Sequence, residues 1–372
     1  MRILHITEVL EPAGIESFIM NMYQHVDRDQ VQFDFWVTRT QKEYYEDQIL
    51  QMGGQKFSVD HTHIGNTFLR VIREARSLRH FLKAHPYEVI HLHTCTPLRA
   101  LYLAAAKSAG AKVRIIHSHS AEVEGKSLIK RLIYGFMRQL IPLYGTHYFA
   151  CSKAASRWLY PKRIWKKNRD RVIYNGIDTH RFTFCQEDRE QYRQELGLEG
   201  KFVLVNTGRF LPQKNQGFLV EMFAQLHAQE PNSHLLLLGK GDLQEQVAQS
   251  AKDLGVEHSV TFLGVRSDVP QVLSAADCYM MPSLYEGLPV AGVEAQCNGL
   301  PCIFSKNVTD EVALSQNVVF LDLAQPISQW VETALSFRKT PRDLQAAEAV
   351  CNAGYDVQQC GRQLTEFYLN CL

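Results

Sequence analysis

The sequence predicts an α/β protein made of two doubly wound parallel sheets that follow one another along the chain. Three observations predict it. At 372 residues the chain exceeds the roughly 100 to 200 that a single domain usually takes. Short β-branched or aromatic runs alternate with amphipathic stretches through the first half, and the alternation restarts at Lys201. A hydrophobic content of 45% with 21% charged residues supplies a real core and excludes disordered, collagenous and coiled-coil chains.

In order, the strand candidates of the first half are Ile3 to Thr7, Phe33 to Thr38, Lys56 to Val59, Val89 to His93, Val113 to Ser118 and Tyr148 to Ser152. Each has the length and apolarity of a strand buried on both faces. Helical periodicity occupies the intervals around 15–26, 42–52, 67–84, 97–109 and 126–141. The second series is KFVLVNTG (201–208), HLLLLG (234–239), VTFLG (260–264), CYMMPS (278–283), PCIFS (301–305) and VVFLD (318–322). Between the series, RVIYNGIDTHRF (171–182) holds the turn pair Asn175-Gly176 and no long helix. The expected division is therefore 1–172 and 173–352, with 353–372 a C-terminal segment that includes an amphipathic helix. Sites in such sheets lie beyond the carboxyl ends of the strands, so two facing domains would enclose a binding cleft.

Composition narrows the function. The nine cysteines show no CxxC spacing and no downstream histidine pair, which points away from a disulfide framework or zinc ribbon and toward a reducing cytoplasm. The opening MRILHITEVL reads as a first strand rather than a signal peptide, and no run of about 18 apolar residues exists. The net charge of +1 hides an asymmetry: residues 1–172 carry an excess of 11 basic residues and the remainder an excess of 10 acidic ones. From Lys126 to Arg171 there are 12 basic residues against the single acid Asp170, which suggests either solvated helix faces or an anionic partner surface. No GxxxxGK[ST] is present, and the nearest approach to a dinucleotide fingerprint, at Gly239 and Gly241, lacks its third glycine. A P-loop nucleotidase and a nicotinamide enzyme are both disfavoured, and no nucleic-acid partner is expected.

The chemistry concentrates after the strand CYMMPS, where Glu286 and Glu294 bracket a Gly287-Leu288-Pro289 turn and helical periodicity begins at Val290. Backbone N–H groups of Gly287 to Val290 at such a helix start can face an anion. Glu294, about one turn into the helix, can accept two ribose hydroxyls; the competing reading makes both glutamates helix-end charges. Gly208, Arg209 and Lys214 follow a strand end, where two cations could stabilise the negative charge of a departing diphosphate. They could also be a solvated basic loop. His119 stands at the carboxyl end of its strand with His117 two residues earlier, an HxH pair that could instead bind metal, although no third ligand of plausible spacing follows it; His91 and His93 repeat the pattern one strand before and could be packed core histidines.

These segments together resemble the retaining family 4 glycosyltransferases of the GT-B fold. The Glu-x7-Glu of EGLPVAGVEAQCNGLP is similar to their nucleotide-sugar motif, Gly208-Arg209 with Lys214-Asn215 to their G-R-(x)n-K-N segment, Asn175 to Asp178 to their N-G-[IV]-D turn, and Phe262 to Gly264 to their F-x-G strand. Within that family the HSH (117–119), CSxAAxxW (151–158) and FLGVRSDV (262–269) segments resemble the bacterial exopolysaccharide and capsule branch. The resemblance implies a metal-independent enzyme without a cofactor. It would move a sugar, most simply from a UDP-linked donor held by the second domain (173–352), to a lipid-linked oligosaccharide on the side of the first (1–172), with the C-terminal helix within 353–372 crossing back onto the first domain. It implies diphosphate contacts from Arg209, Lys214 and Gly287 to Val290, a ribose contact from Glu294, and sugar contacts from Glu286, His119 and Gly14. Pro12 to Glu16 stands where the family has G-G-x-E, with Ala13 in place of the first glycine and Gly14 and Glu16 in register; the competing reading makes Glu16 a first-turn helix charge.

Two other readings stay open: a nucleotide-sugar epimerase of the same fold, and a non-catalytic nucleotide-sugar-binding partner of a polysaccharide assembly complex. The mixture of Leu, Ile, Phe and Met with Lys126, Lys130, Arg131 and Arg138 across 127–144, followed by Lys162, Arg163, Lys166 and Lys167, suggests peripheral docking on the inner face of an anionic membrane. The competing reading buries the same apolar stripe against the sheet.

Overall fold

The computed structural model describes residues 1–12, 14–119 and 127–372. Ala13 and Lys126, both singled out above, lie outside the described residues. The chain divides into two compact units, Met1–Gly176 with Val357–Leu372, and Ile177–Asp356.

In the first unit seven parallel strands, β1 Arg2–Ile6, β2 Gln32–Val37, β3 Lys56–Ser58, β4 Val89–Thr94, β5 Val113–Ser118, β6 His147–Ala150 and β7 Asp170–Val172, are ordered β3-β2-β1-β4-β5-β6-β7. Alternation of side chains gives the sheet two apolar faces. Leu4, Ile6, Trp36, Ile90, Leu92 and Ile116 pack beneath the helices Thr67–Ala84, Ala100–Ala109 and Leu128–Tyr144. Ile3, Phe33, Phe35, Val89 and Ile115 pack beneath the helices Gly14–His25 and Val357–Leu369, where Leu364 and Tyr368 are buried. The C-terminal helix comes close because residue 361 is glycine: a Cβ there would stand 2.4 Å from the carbonyl oxygen of His25.

The second unit holds β8 Phe202–Thr207, β9 Ser233–Leu238, β10 Val260–Gly264, β11 Cys278–Met281, β12 Cys302–Ser305 and β13 Val318–Leu321, all parallel and ordered β10-β9-β8-β11-β12-β13. In both sheets the strand order reverses beside the first strand of its series, between β1 and β4 and between β8 and β11. The loops after those strands therefore splay apart and leave a crevice at the carboxyl edge.

Three expectations shift. Asp170–Val172, read above as the entry to a turn, forms β7 by pairing with Tyr148 to Ala150. Its three residues are too few to show periodicity. The division between units falls after Gly176 rather than after residue 172, because β7 keeps the following turn on the first sheet and Asn21 Nδ2 donates to the Gly176 carbonyl at 2.8 Å. The C-terminal crossing falls after Asp356 rather than 352: Gly354 takes φ of 90°, which breaks the helical path, and the last helix starts at Val357.

Candidate active site

In the second unit the loops after β8 and β11 are stapled together at the point where the strand order reverses. Asn215 adopts a left-handed conformation, φ 55°, and its side-chain amide donates to the Pro282 carbonyl at 3.1 Å. Leu284 N–H donates to the Gln213 carbonyl at 2.8 Å, and Gln213 Nε2 returns a bond to the Tyr285 carbonyl at 3.0 Å. Gln216 Nε2 holds the Arg209 carbonyl at 3.1 Å. This lacing brings Lys214 Nζ to 2.5 Å from Glu286 Oε1, with both side chains largely buried. Ser283 Oγ donates to the same carboxylate oxygen at 3.3 Å, and Glu286 N–H donates to the Asn307 carbonyl at 3.2 Å.

Gly208 starts the β8 loop against a neighbour that must also be glycine. A Cβ on Gly239 would lie 2.0 Å from the Gly208 carbonyl oxygen, and Gly239 itself has φ of 129°. Arg209 is exposed and pairs with no carboxylate among the described residues. Gly287 and Leu288 are partly exposed in the turn, and Pro289 is the N-cap of the helix Val290–Cys297, whose first turn no side chain caps. The N–H end of that helix thus keeps its capacity to bind an anion.

Glu294 is the most unusual acid of this unit. Its carboxylate makes no hydrogen bond or ion pair with a described residue, and burial pushes its pKa up to about 7, with Arg181 pulling weakly the other way. A carboxyl held this way, one turn inside a helix that begins at the crevice, keeps its full capacity to accept hydrogen bonds.

In the first unit Gly14 is exposed at the start of its helix, and a Cβ there would meet nothing within 4 Å, so neither packing nor backbone requires glycine. Glu16 turns inward: it is 4% exposed, its Oε1 accepts from Thr7 Oγ1 at 3.0 Å, and burial raises its pKa. His119 follows β5, with its N–H on the Thr94 carbonyl at 3.1 Å. Its ring joins a file of histidines: His119 Nε2 is 2.9 Å from His93 Nδ1, and His93 Nε2 is 2.9 Å from His5 Nδ1. Beside it, His117 Nδ1 lies 3.2 Å from His91 Nε2, whose Nδ1 meets Tyr368 Oη at 2.5 Å. Desolvation lowers all five, His5 and His119 to about 3, so the rings are neutral.

Residues 12–181 match the family model described as Glycosyltransferase Family 4, and residues 188–317 the model described as Glycosyl transferases group 1. The chain is 32% identical over 366 residues to EpsF of Bacillus subtilis (strain 168), a protein classed by name among glycosyltransferases, covering 96% of this chain and 94% of that one. The chain belongs to the family 4 glycosyltransferases. This glycosyltransferase is also 29% identical over 265 residues to an Escherichia coli UDP-Gal:α-D-GlcNAc-diphosphoundecaprenol α-1,3-galactosyltransferase, covering 68% and 66% of the two chains. It is 22% identical to the capsular polysaccharide biosynthesis glycosyltransferase CapH of Staphylococcus aureus, covering 85% and 84%. These relatives set it in the branch that includes polysaccharide-assembly enzymes. Its fold matches that of Anabaena HepE, solved in complex with UDP, with a TM-score of 0.77 at 22% identity over the whole of both chains. The transferase is therefore a GT-B protein.

Sequence reading found Glu286 and Lys214 separately but not their pairing, which depends on the Asn215 and Gln213 staples. It also left His91 and His93 without a role. Their connection to His119 runs across strands, β4 against β5 with His93 opposite His117, and spacing within one segment carries no trace of it.

Proposed function

We propose that this transferase moves a sugar with retention of configuration from a UDP-linked donor to a lipid-linked oligosaccharide in exopolysaccharide or capsule synthesis. The observation that carries the reading is the Glu294 carboxyl, unpaired and held near neutrality beside a crevice that also presents Lys214, Arg209 and an uncapped helix start. Two ribose hydroxyls would supply the donors that Glu294 lacks. Arg209, Lys214 and the backbone of Gly287 to Val290 would neutralise the departing diphosphate, which gives the reaction its cationic groups without a metal ion. Glu286, His119 and Gly14 are assigned to the transferred sugar through the family resemblance, and the leaving diphosphate would help to accept the acceptor's proton.

For the acceptor, the first unit carries a cavity of about 210 Å³ lined by Arg39, Arg70 and Arg99, with Glu8 and Glu74 as counter-charges. Arg99 pairs with Glu8 and Arg70 lies 3.9 Å from Glu74, which leaves Arg39 as the uncompensated charge among these described groups. Tyr134, from the helix Leu128–Tyr144, closes one wall. That helix turns Leu128, Ile129, Leu132 and Phe136 to solvent at 65% to 71% exposure, while Met137 and Ile141 face the sheet. Lys162, Arg163, Lys166 and Lys167 are exposed, and Arg163 Nη2 reaches the Gln139 carbonyl of the same helix at 3.2 Å. Arg138 is different: its guanidinium stacks 4.2 Å from the Trp158 ring centroid. No helix among the described residues is long and apolar enough to cross a membrane. Apolar side chains beside exposed cations suit an interfacial helix on the anionic cytoplasmic leaflet, where a lipid diphosphate would be met.

The test is incubation with a panel of nucleotide sugars and a membrane glycolipid extract, scored by product mass. A glycolipid heavier by one sugar supports transfer. A free epimerised nucleotide sugar formed without acceptor, or tight donor binding with no turnover, would replace the reading with one of its two rivals.

A further inference from the structure

Three imidazoles converge in the first unit in a way that the transfer reaction does not use. His93 on β4, His117 at the end of β5 and His119 just beyond it each offer a ring nitrogen, and the three nitrogens lie within 4.8 Å of one another. For His93 and His117 the ring nitrogens facing away are held by neighbours. His93 Nε2 meets His5 Nδ1 at 2.9 Å, and His117 Nδ1 meets His91 Nε2 at 3.2 Å, with Tyr368 Oη behind His91 at 2.5 Å. His117 Nε2 is buried and has no hydrogen-bond partner among the described residues. His93 Nδ1 and His119 Nε2 share one hydrogen bond at 2.9 Å.

We propose that His93, His117 and His119 form a binding site for a divalent transition metal of the zinc class, with His5, His91 and Tyr368 as its supporting shell. Two ligands separated by one residue on a strand, with a third from the adjacent strand, suit a three-histidine site whose fourth position stays open. A tetrahedral ion with metal–nitrogen bonds of about 2.0 to 2.1 Å asks for roughly 3.4 Å between ligand nitrogens, which lies between the 2.9 Å of His93 Nδ1 to His119 Nε2 and the 4.8 Å that bounds all three. The outward nitrogens of His93 and His117 already carry the hydrogen bonds that fix tautomer and orientation in metal-bound histidines. Neutral rings are the form that ligates. His119 is the least buried of the three, so the entry path and the open position lie on its side.

The proton balance is simple. The hydrogen shared by His93 Nδ1 and His119 Nε2 moves through solvent to His119 Nδ1, and three neutral ligands receive the ion with no net proton release. A metal there takes His119 away from His93 and fixes its ring. On the reading that His119 positions the transferred sugar, an occupied site slows transfer, so the site is inhibitory.

Cobalt(II) is the probe, titrated into the full-length protein without substrate and read by its visible d–d absorption, with zinc(II) as competitor. One cobalt per chain, with four-coordinate bands that zinc abolishes, is expected. His117→Asn should remove the bands, His91→Asn should weaken binding about 10- to 100-fold, and His258→Asn, on the exposed surface of the second unit, should change nothing. Absence of a saturable site in the wild-type protein, a measurement that requires no variant to fold, overturns the proposal, as does binding unaffected by His117→Asn in a variant of native circular dichroism. Because binding is read without donor or acceptor, it stands or falls apart from the transferase reading. Zinc inhibition reversed by a chelator supports the inhibitory role, and unchanged transfer with the site filled overturns that role.

Discussion

Lys214 Nζ lies 2.5 Å from Glu286 Oε1, so the cation proposed for the donor diphosphate and the carboxylate proposed for the sugar are already one electrostatic unit. Each group holds the other in place before any ligand arrives, and a diphosphate entering the crevice would compete with Glu286 for Lys214. Removing one partner leaves a largely buried charge uncompensated, which costs more than the pair itself contributes.

That coupling sets the first prediction. Lys214→Ala and Glu286→Ala should each lower turnover, Lys214→Ala by about 2 to 4 kcal/mol of transition-state stabilisation. The double variant should fall well short of the sum, as expected for residues in contact. Additive losses in kcat/KM would show that the two act separately.

Glu294 carries a pH signature. Its folded pKa of about 7 exceeds the unfolded value near 4.5, so the folded state binds the extra proton between those pH values. The free protein should therefore lose stability from this group as pH rises from about 4.5 to 7, and recover it in Glu294→Gln. At pH 8 the variant should be more stable by about 1 to 3 kcal/mol in denaturant titration, with no difference at pH 4. Nucleotide affinity of the wild type should rise with pH through 7 as the carboxylate forms. In Glu294→Gln it should be weaker and flat by calorimetry.

Arg209→Ala should depress turnover without lowering the melting temperature, since the side chain is exposed and pairs with no described carboxylate. Parallel losses of activity and stability would mean that the loop, rather than the charge, had been disturbed. A chelator should not lower the transfer rate of the purified protein; loss restored by manganese would contradict metal-independent transfer.

Membrane attachment is checked by vesicle flotation. Anionic but not neutral vesicles should carry the protein, and Lys162, Arg163, Lys166 and Lys167→Glu or high salt should release it, at about 1 kcal/mol for each cation near the surface. Leu132→Ser with Phe136→Ser tests the apolar half. These side chains are exposed, so binding should weaken while the melting temperature holds.

Gly361→Val should destabilise the first unit, because the new Cβ meets the His25 carbonyl at 2.4 Å and the helix Val357–Leu369 must move away. The cost should be about 1 to 3 kcal/mol or more, read as a lower unfolding midpoint. Deleting Val357 to Leu372 strips Leu364 and Tyr368 from the core and should cost more. An unchanged melt would make the helix a dispensable appendage.

How much of this was readable before folding depends on the range of each signal. Strand runs such as Val113 to Ser118, the helix Thr67–Ala84 and the start of the Glu286 to Glu294 segment are local, because burial on both faces of a parallel strand and the 3.6-residue helical repeat are properties of consecutive residues. The residue types of the second-unit crevice were local too, since diphosphate and ribose chemistry calls for cations, glycine and carboxylate near strand ends. Tertiary structure decided the rest. Only the sheet order β8-β11 and the Asn215 staple put Lys214 on Glu286, and only burial moved Glu294 toward neutrality. Only the adjacency of β1, β4 and β5 assembled five histidines from distant segments, a long-range pairing that no spacing within one segment encodes. Amphipathic pattern alone could not say whether Leu128, Leu132 and Phe136 faced the sheet or solvent. Met137 and Ile141 cover the sheet on the opposite side of that helix and leave the others outside.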